Sequence, residues 1–303
     1  MFTEAGPGFA PATVEVFMCR FVLYQGPPLT LASLVVDPKN SIIHQSLSAS
    51  ETDDPLNGDG FGVGWYAPEI SPEPAVFKSF TPAWSNRNLT DLARVTRSPC
   101  VMAHVRAATP GLPVSELDCH PFACGPFAMM HNGDLGGFRT IRRTMLDSLT
   151  DRAFQSVHGG TDSEHMFAMV LDRLWESKET QPLERLAAAL QGMVRDVHTM
   201  ARRARAEGKS YLNIALSDGA HSVACRFTND DPVHASSLYL HTGRRYVCDG
   251  DVCRMVDPVQ GEGAVLVASE PLSEDPGWQK VPANHMVLVR ADRTVDVRAM
   301  EAA

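Results

Sequence analysis

The feature that most constrains the fold is the order in which two hydrophobic periodicities occur along the chain. Short β-type apolar runs come first, from Cys19 onward, a helical period dominates the middle, and short apolar strands return toward the C-terminus. Strand candidates are Cys19–Tyr24, Phe61–Tyr66, Cys100–Val105 and Phe127–Met130 in the first block. In the last block, Leu212–Leu216 and Ser222–Phe227 flank the turn Ser217-Asp218-Gly219, a hairpin signal. Leu238–His241, Ala264–Ala268 and Met286–Arg290 follow. Helices are predicted over Phe138–Leu149, over His165–Trp175 behind a Thr161-Asp-Ser-Glu164 capping box, and over Pro182–Glu207, with Gly208 as its stop. Such an order fits an α+β fold, with helices layered on mainly antiparallel sheets.

Composition removes several function classes. The 303 residues are 44% hydrophobic, ample for a core and against disorder or fibres. Acidic residues outnumber Lys and Arg by 36 to 27, so a nucleic-acid partner is disfavoured. The densest basic stretch, Arg202-Arg203-Ala-Arg205, reads as the solvated end of a helix. Apolar runs such as Ala264–Ala268 are far short of the ~20 residues that span a bilayer, so no membrane is expected. Residues 1–18 are rich in Gly, Pro and Ala and contain Glu4 and Glu15 but no base. They fit neither a secretory signal nor a transit peptide, and the expected location is cytoplasmic. The segment reads as a disordered extension or propeptide, with a single domain over residues 19–303.

The 7 cysteines are scattered and odd in number, which favours reduced thiols over a disulfide framework. Cys248 and Cys253 are close enough in sequence to pair, but thiols are expected there too. Cys119 and Cys124 flank a His-Pro-Phe turn and are read as packed thiols, with no metal site assigned.

Four short motifs stand at loops or strand ends: Met18-Cys19-Arg20-Phe21, His104-Val-Arg106-Ala-Ala-Thr109, His131-Asn132-Gly133 and Thr161-Asp162-Ser-Glu164. Each has a purely structural reading. Arg106 serves equally as half of a surface ion pair, Asn132-Gly133 as a hairpin turn, and Asp162 as a first-turn acid facing a helix dipole. Asn57-Gly-Asp-Gly60 lacks the Lys-Ser/Thr ending of a phosphate loop and precedes a strand. Trp65 and Trp84 read as core or pocket wall.

Together and in this order the motifs resemble the class II glutamine amidotransferases of the N-terminal-nucleophile hydrolase superfamily. The stretches Asn57–Tyr66, Thr81-Pro-Ala-Trp84, Cys119-His-Pro-Phe122 and Val267-Ala-Ser-Glu-Pro271 extend the likeness over nearly everything from Met18 onward. Within the class, the chain is most similar to the amidotransferase subunit of the fungal glutathione-degradation complex. The γ-glutamyl amidohydrolase of ergothioneine biosynthesis is a related branch.

The resemblance implies a four-layer αββα sandwich and hydrolysis of a γ-glutamyl amide, in glutamine or a peptide such as glutathione, through a thioester on Cys19. Removal of γ-glutamate from a sulfur-containing histidine betaine conjugate is the alternative, and a non-catalytic glutamine-sensing subunit an alternative of another class. Asn132 and Gly133 map onto the oxyanion-binding pair, Arg106 and Thr109 onto the carboxylate clamp, and Asp162 onto the acceptor of the α-ammonium. No cofactor is implied; a metallopeptidase-like partner subunit is. His104 and His131 are left structural hydrogen-bonding roles, because an α-amine, not an imidazole, is the base. That amine exists only if the working chain starts at Cys19, either through initiation at Met18 or through cleavage after it.

Overall fold

The computed structural model describes residues 19–52, 54–108, 114–257 and 263–301. The assignments to residues 1–18 and Thr109 therefore lie outside the described residues. In chain order the first strands are β1 (Arg20–Thr30), β2 (Phe61–Ala67), β3 (Ser71–Ser79), β4 (Arg97–Val105), β5 (Phe122–Cys124) and β6 (Phe127–Asp134). The later ones are β7 (Tyr211–Ser217), β8 (Ser222–Thr228), β9 (Tyr239–Gly243), β10 (Arg245–Asp249), β11 (Val252–Val256), β12 (Ala264–Ala268), β13 (Gln279–Lys280), β14 (His285–Val289) and β15 (Val295–Ala299). Helices are α1 (Ala32–Val35), α2 (Ile42–Leu47), α3 (Arg87–Val95), α4 (Phe138–Asp147), α5 (Asp151–Phe154), α6 (Asp162–Glu176) and α7 (Pro182–Ala204).

Two antiparallel sheets stack face to face. The first has the order β13-β9-β12-β1-β4-β2-β3 and the second β15-β14-β8-β7-β6-β5. Alternation along the strands decides what each face meets. Phe21 and Leu23 of β1 point into the space between the sheets, with Met102 of β4, Met130 of β6, Ala215 of β7 and Val287 of β14. Val22 and Tyr24 point the other way and pack with Leu31, Leu34 and Ile42 around α1 and α2, and with Leu89 of α3. On the far side of the second sheet, Met129, Ile214 and Cys225 meet Ile141, Met166, Val170, Leu190 and Met193 from α4, α6 and α7. Helix, sheet, sheet and helix make four layers, so the α+β and αββα expectations hold.

The three predicted helices are present. α7 ends earlier than expected, with Arg205 in a left-handed conformation at φ 51° closing it well before Gly208. Among the described residues no helix is long and apolar enough to cross a membrane. One cysteine expectation fails. Cys248 and Cys253 are bonded as a disulfide, because the register of β10 on β11 sets them directly opposite one another with Cα atoms 4.1 Å apart. Cys19, Cys100, Cys119, Cys124 and Cys225 are free thiols.

Candidate active site

β1 is a central strand, flanked by β4 and β12, and Cys19 immediately precedes it. The residue after Cys19 anchors it. Arg20 is fully buried, its Nε donating to Glu270 Oε1 at 2.6 Å and its Nη1 to the Cys19 carbonyl at 2.8 Å. Glu270 also accepts from the Ser50 and Glu51 amides, each at 3.0 Å. Burial alone would raise the Glu270 carboxyl; the Arg20 charge and these two amides hold it below the usual carboxylate range.

A cavity of about 370 Å³ opens beside Cys19, within the size range of small-molecule sites. Cys19, Arg106, Gly133 and Asp162 all line it, together with His120, His131 and the start of α4. A larger groove of about 770 Å³ lies elsewhere, lined by Phe77, Lys78, Phe122, Arg152 and Trp175 and by none of the expected site residues.

The Cys19 Sγ lies 3.6 Å from the Ala107 carbonyl oxygen. Burial pushes its thiol above the ordinary value, against the pull of the Arg106 and Arg20 charges. The group is therefore a thiol at neutral pH and needs a base at the moment of attack.

Arg106 continues the line of β4 past its end. Its backbone N–H donates to Gly60 and its carbonyl accepts from Asp59, each at 2.9 Å. Asp59 Oδ2 in turn accepts the Ala108 amide at 2.8 Å, so the Asn57–Gly60 stretch serves as a brace for this segment and not as an anion cradle. Arg106 is only 4% exposed, and its Nη1 is buried with no hydrogen-bond partner. It is not the surface ion pair of the structural reading.

Asn132-Gly133 is not a hairpin turn. Both residues lie inside β6, opposite Asn213 and Leu212 of β7. Their special backbone remains: Gly133 has φ +139°, and a Cβ there would overlap the Tyr211 carbonyl oxygen. Any other residue is excluded on both counts. Asn132 is buried, donates from Nδ2 to Ser269 Oγ at 3.3 Å, and leaves Oδ1 without a partner.

Asp162 begins α6, and its carboxylate is braced from two directions. Oδ2 accepts the Leu135 amide and Oδ1 the Ser163 amide, at 2.8 and 2.7 Å. The capping box is half made. Thr161 Oγ1 accepts the Glu164 amide at 3.3 Å, but Glu164 takes the His158 and Gly159 amides instead of reaching back to Thr161. That choice ties the preceding loop to the helix and sets the approach to Asp162.

Both expected structural histidines make backbone contacts. His104 Nε2 donates to the His131 carbonyl at 3.1 Å, and burial pushes its imidazole down to about 3. His131 joins Ser163 Oγ at 2.8 Å, stitching β6 to α6, and burial lowers it too. Trp84 is 37% exposed and walls a small hollow with Pro82, Leu56 and Ala107, while Trp65 packs against the outer core of the first sheet. The sequence reading gave no role to Arg20, Asp59, His120, Ser269 or Glu270, although every one falls in a motif it had marked. Residue type alone does not separate a brace from a bystander.

Residues 36–302 match the family model for glutamine amidotransferases class-II. The chain belongs to this family. Class II relatives with curated names extend the likeness. The probable glutamine amidotransferase DUG3 of Saccharomyces cerevisiae is 35% identical over 293 residues, covering 90% of this chain and 82% of that one. The gamma-glutamyl-hercynylcysteine sulfoxide hydrolase of Mycolicibacterium smegmatis is 28% identical over 274 residues, covering 90% and 96%. Among solved structures, a glutamine aminotransferase class-II domain protein from Silicibacter pomeroyi superposes with a TM-score of 0.64 at 23% identity, covering 94% of this chain and all of that one. A Bacillus subtilis PRPP amidotransferase gives 0.59 at 12% identity over 50% of its own length. These structural matches carry the class II amidotransferase fold.

Proposed function

We propose that this class II amidotransferase hydrolyses the side-chain amide of a γ-glutamyl substrate through a thioester on Cys19, in a working chain that begins at Cys19. The observation that carries this reading is the pairing, in one cavity with the thiol, of an unpartnered buried guanidinium, Arg106, with a braced carboxylate, Asp162. A free α-carboxylate and α-ammonium are the two charges such a pair takes, and a γ-glutamyl group carries both.

The steps follow from the residues present. The α-amine of Cys19 has an ordinary pKa of about 7.7–8.0, so its neutral form is available to take the thiol proton. Sγ attacks the amide carbon, and the oxyanion is received by the Gly133 N–H and the second Nδ2–H of Asn132. One such donor contributes about 3 kcal/mol to the transition state. The amine returns the proton to the leaving nitrogen as the C–N bond breaks. Water, deprotonated by the same amine, then attacks the thioester, releasing glutamate and restoring the thiol. Thr109 is assigned to assist Arg106 on the α-carboxylate.

Two curated relatives bear names that differ in what leaves, so the assay spans both. Protein expressed from Met18 and shown by intact mass to start at Cys19 is assayed for glutamate release from glutamine, glutathione and a γ-glutamyl thiohistidine-type sulfoxide. Cys19→Ala is expected to abolish turnover with the fold retained. Full turnover by that variant, or by a chain still carrying residues 1–18, overturns the proposal.

A further inference from the structure

His120 is the polar group in the cavity for which the fold supplies no use. It is 4% exposed, lines the cavity, and neither ring nitrogen has a hydrogen-bond partner. Its ring contacts are with His104, at 4.2 Å between centroids, and with Phe122, edge to face at 4.7 Å. A phenyl ring would make both contacts equally well. Leaving a buried donor and acceptor unpaired costs about 1–3 kcal/mol for each group, so a purely structural imidazole is a poor choice here. Its neighbours His104 and His131 show the contrast, since each spends a ring nitrogen on the backbone or a side chain.

Strand geometry places His120 on the Arg106 side of the cavity. His104 and Arg106 are two residues apart on β4 and its continuation, so their side chains project from the same face. His120 packs against His104, the two rings tilted by 31°, which sets it on the same side of the cavity that Arg106 lines. The backbone at His120 is also closely seated: Gly62 lies against the His120 carbonyl, and a Cβ at Gly62 would overlap that oxygen. Burial and the surrounding His104, His131, Lys78 and Arg106 push the imidazole far below its ordinary value, so it is neutral and offers one N–H donor.

We infer that His120 donates a hydrogen bond to the substrate α-carboxylate held by Arg106, making it a specificity-determining residue for the γ-glutamyl group. The inference rests on the γ-glutamyl reading above and deepens it. Arg106 supplies charge and a planar fork; His120 supplies a further donor whose ring is held between His104 and Phe122. Together they require a free carboxylate at that end of the ligand.

The test uses binding in a Cys19→Ala background, where no turnover intervenes. Calorimetry compares L-glutamine with 4-aminobutyramide, which keeps the amide and the ammonium but lacks the α-carboxylate. His120→Phe is expected to weaken L-glutamine by about tenfold and 4-aminobutyramide by less than about twofold. His120→Asn and His120→Gln each return one N–H, near one or the other ring nitrogen, and only one of them has the donor in register. That variant is expected to recover L-glutamine affinity to within about threefold, which keeps the comparison decisive if the phenylalanine variant does not fold. Equal weakening of both ligands by His120→Phe, or no weakening of either, overturns the inference while leaving the γ-glutamyl reading standing. With His120 intact, absence of binding by L-glutamine, glutathione and the sulfoxide alike overturns both.

Discussion

Arg20 and Glu270 form an ion pair with both side chains fully buried, 2.6 Å apart, directly behind Cys19. Removing one partner leaves an uncompensated charge in the core, so Glu270→Ala is expected to cost about 3–5 kcal/mol, read as a lowered melting temperature or denaturation midpoint. The pH dependence has a definite sign. Glu270 is held below its unfolded value, so its contribution is complete above that value and is lost as pH falls through the folded one. Glu270→Gln should flatten this acid limb in a stability-versus-pH series; an unchanged limb would refute the assignment.

Arg106 offers a planar fork that a lysine cannot reproduce. Arg106→Lys is expected to raise KM for glutamine by about tenfold or more with kcat little changed, the pattern of lost ground-state binding. Its charge also favours the Cys19 thiolate. In Arg106→Ala, iodoacetamide should therefore modify Cys19 more slowly at any given pH below the thiol's titration. Faster modification would contradict the arrangement.

Gly133→Ala combines a disallowed backbone angle with an overlap at the Tyr211 carbonyl. The β6–β7 pairing must shift to admit the methyl group, at a cost of at least about 2 kcal/mol. Because the same shift displaces the assigned oxyanion donor, kcat should fall by about a hundredfold or more. A variant that melts lower but keeps its kcat would separate Gly133 from the oxyanion role.

The Cys248–Cys253 bridge closes a very short loop, with a sequence separation of 5. Chain entropy then gives it a contribution of about 2 kcal/mol. The hairpin packs through Tyr246, Cys253 and Met255 on the outer side of the first sheet, away from Cys19. Cys248→Ser should lower the melting temperature and leave glutamate release unchanged. Lost activity in a still-folded variant would show that the hairpin reaches the site.

Much of this molecule was legible in its sequence because period and position agree. The hairpin of β7 and β8, the central strands and the three long helices are places where local pattern and tertiary environment ask for the same residues. β3 escaped notice because Pro72 and Pro74 argue against a strand; they are tolerated because β3 lies at the sheet edge, a fact of topology. The turn assigned to Asn132-Gly133 failed for the converse reason. A dipeptide that favours turns sits inside β6, where its positive-φ glycine lines the cavity beside Cys19. Cys19, Arg106 and Asp162 were readable as motifs, but that Arg106 is buried without a partner required the structure. His120 lay inside a quoted motif and still gave no signal, since stacking without hydrogen bonding leaves no trace in spacing. The disulfide hid behind an odd count, which speaks for the chain as a whole and not for two residues facing each other.

The strand that follows Cys19, β1, lies between β4 and β12, with Val22 opposite both Ala103 and Ala268. Synthesis therefore delivers Cys19 early and one of the walls behind it late. A nascent chain can hold Cys19, Arg106 and Asp162 and still lack the partners of Asn132 and Arg20, Ser269 and Glu270. On the proposed reading, a chain terminated before β12 lacks Ser269 and Glu270 and gives no amidase activity.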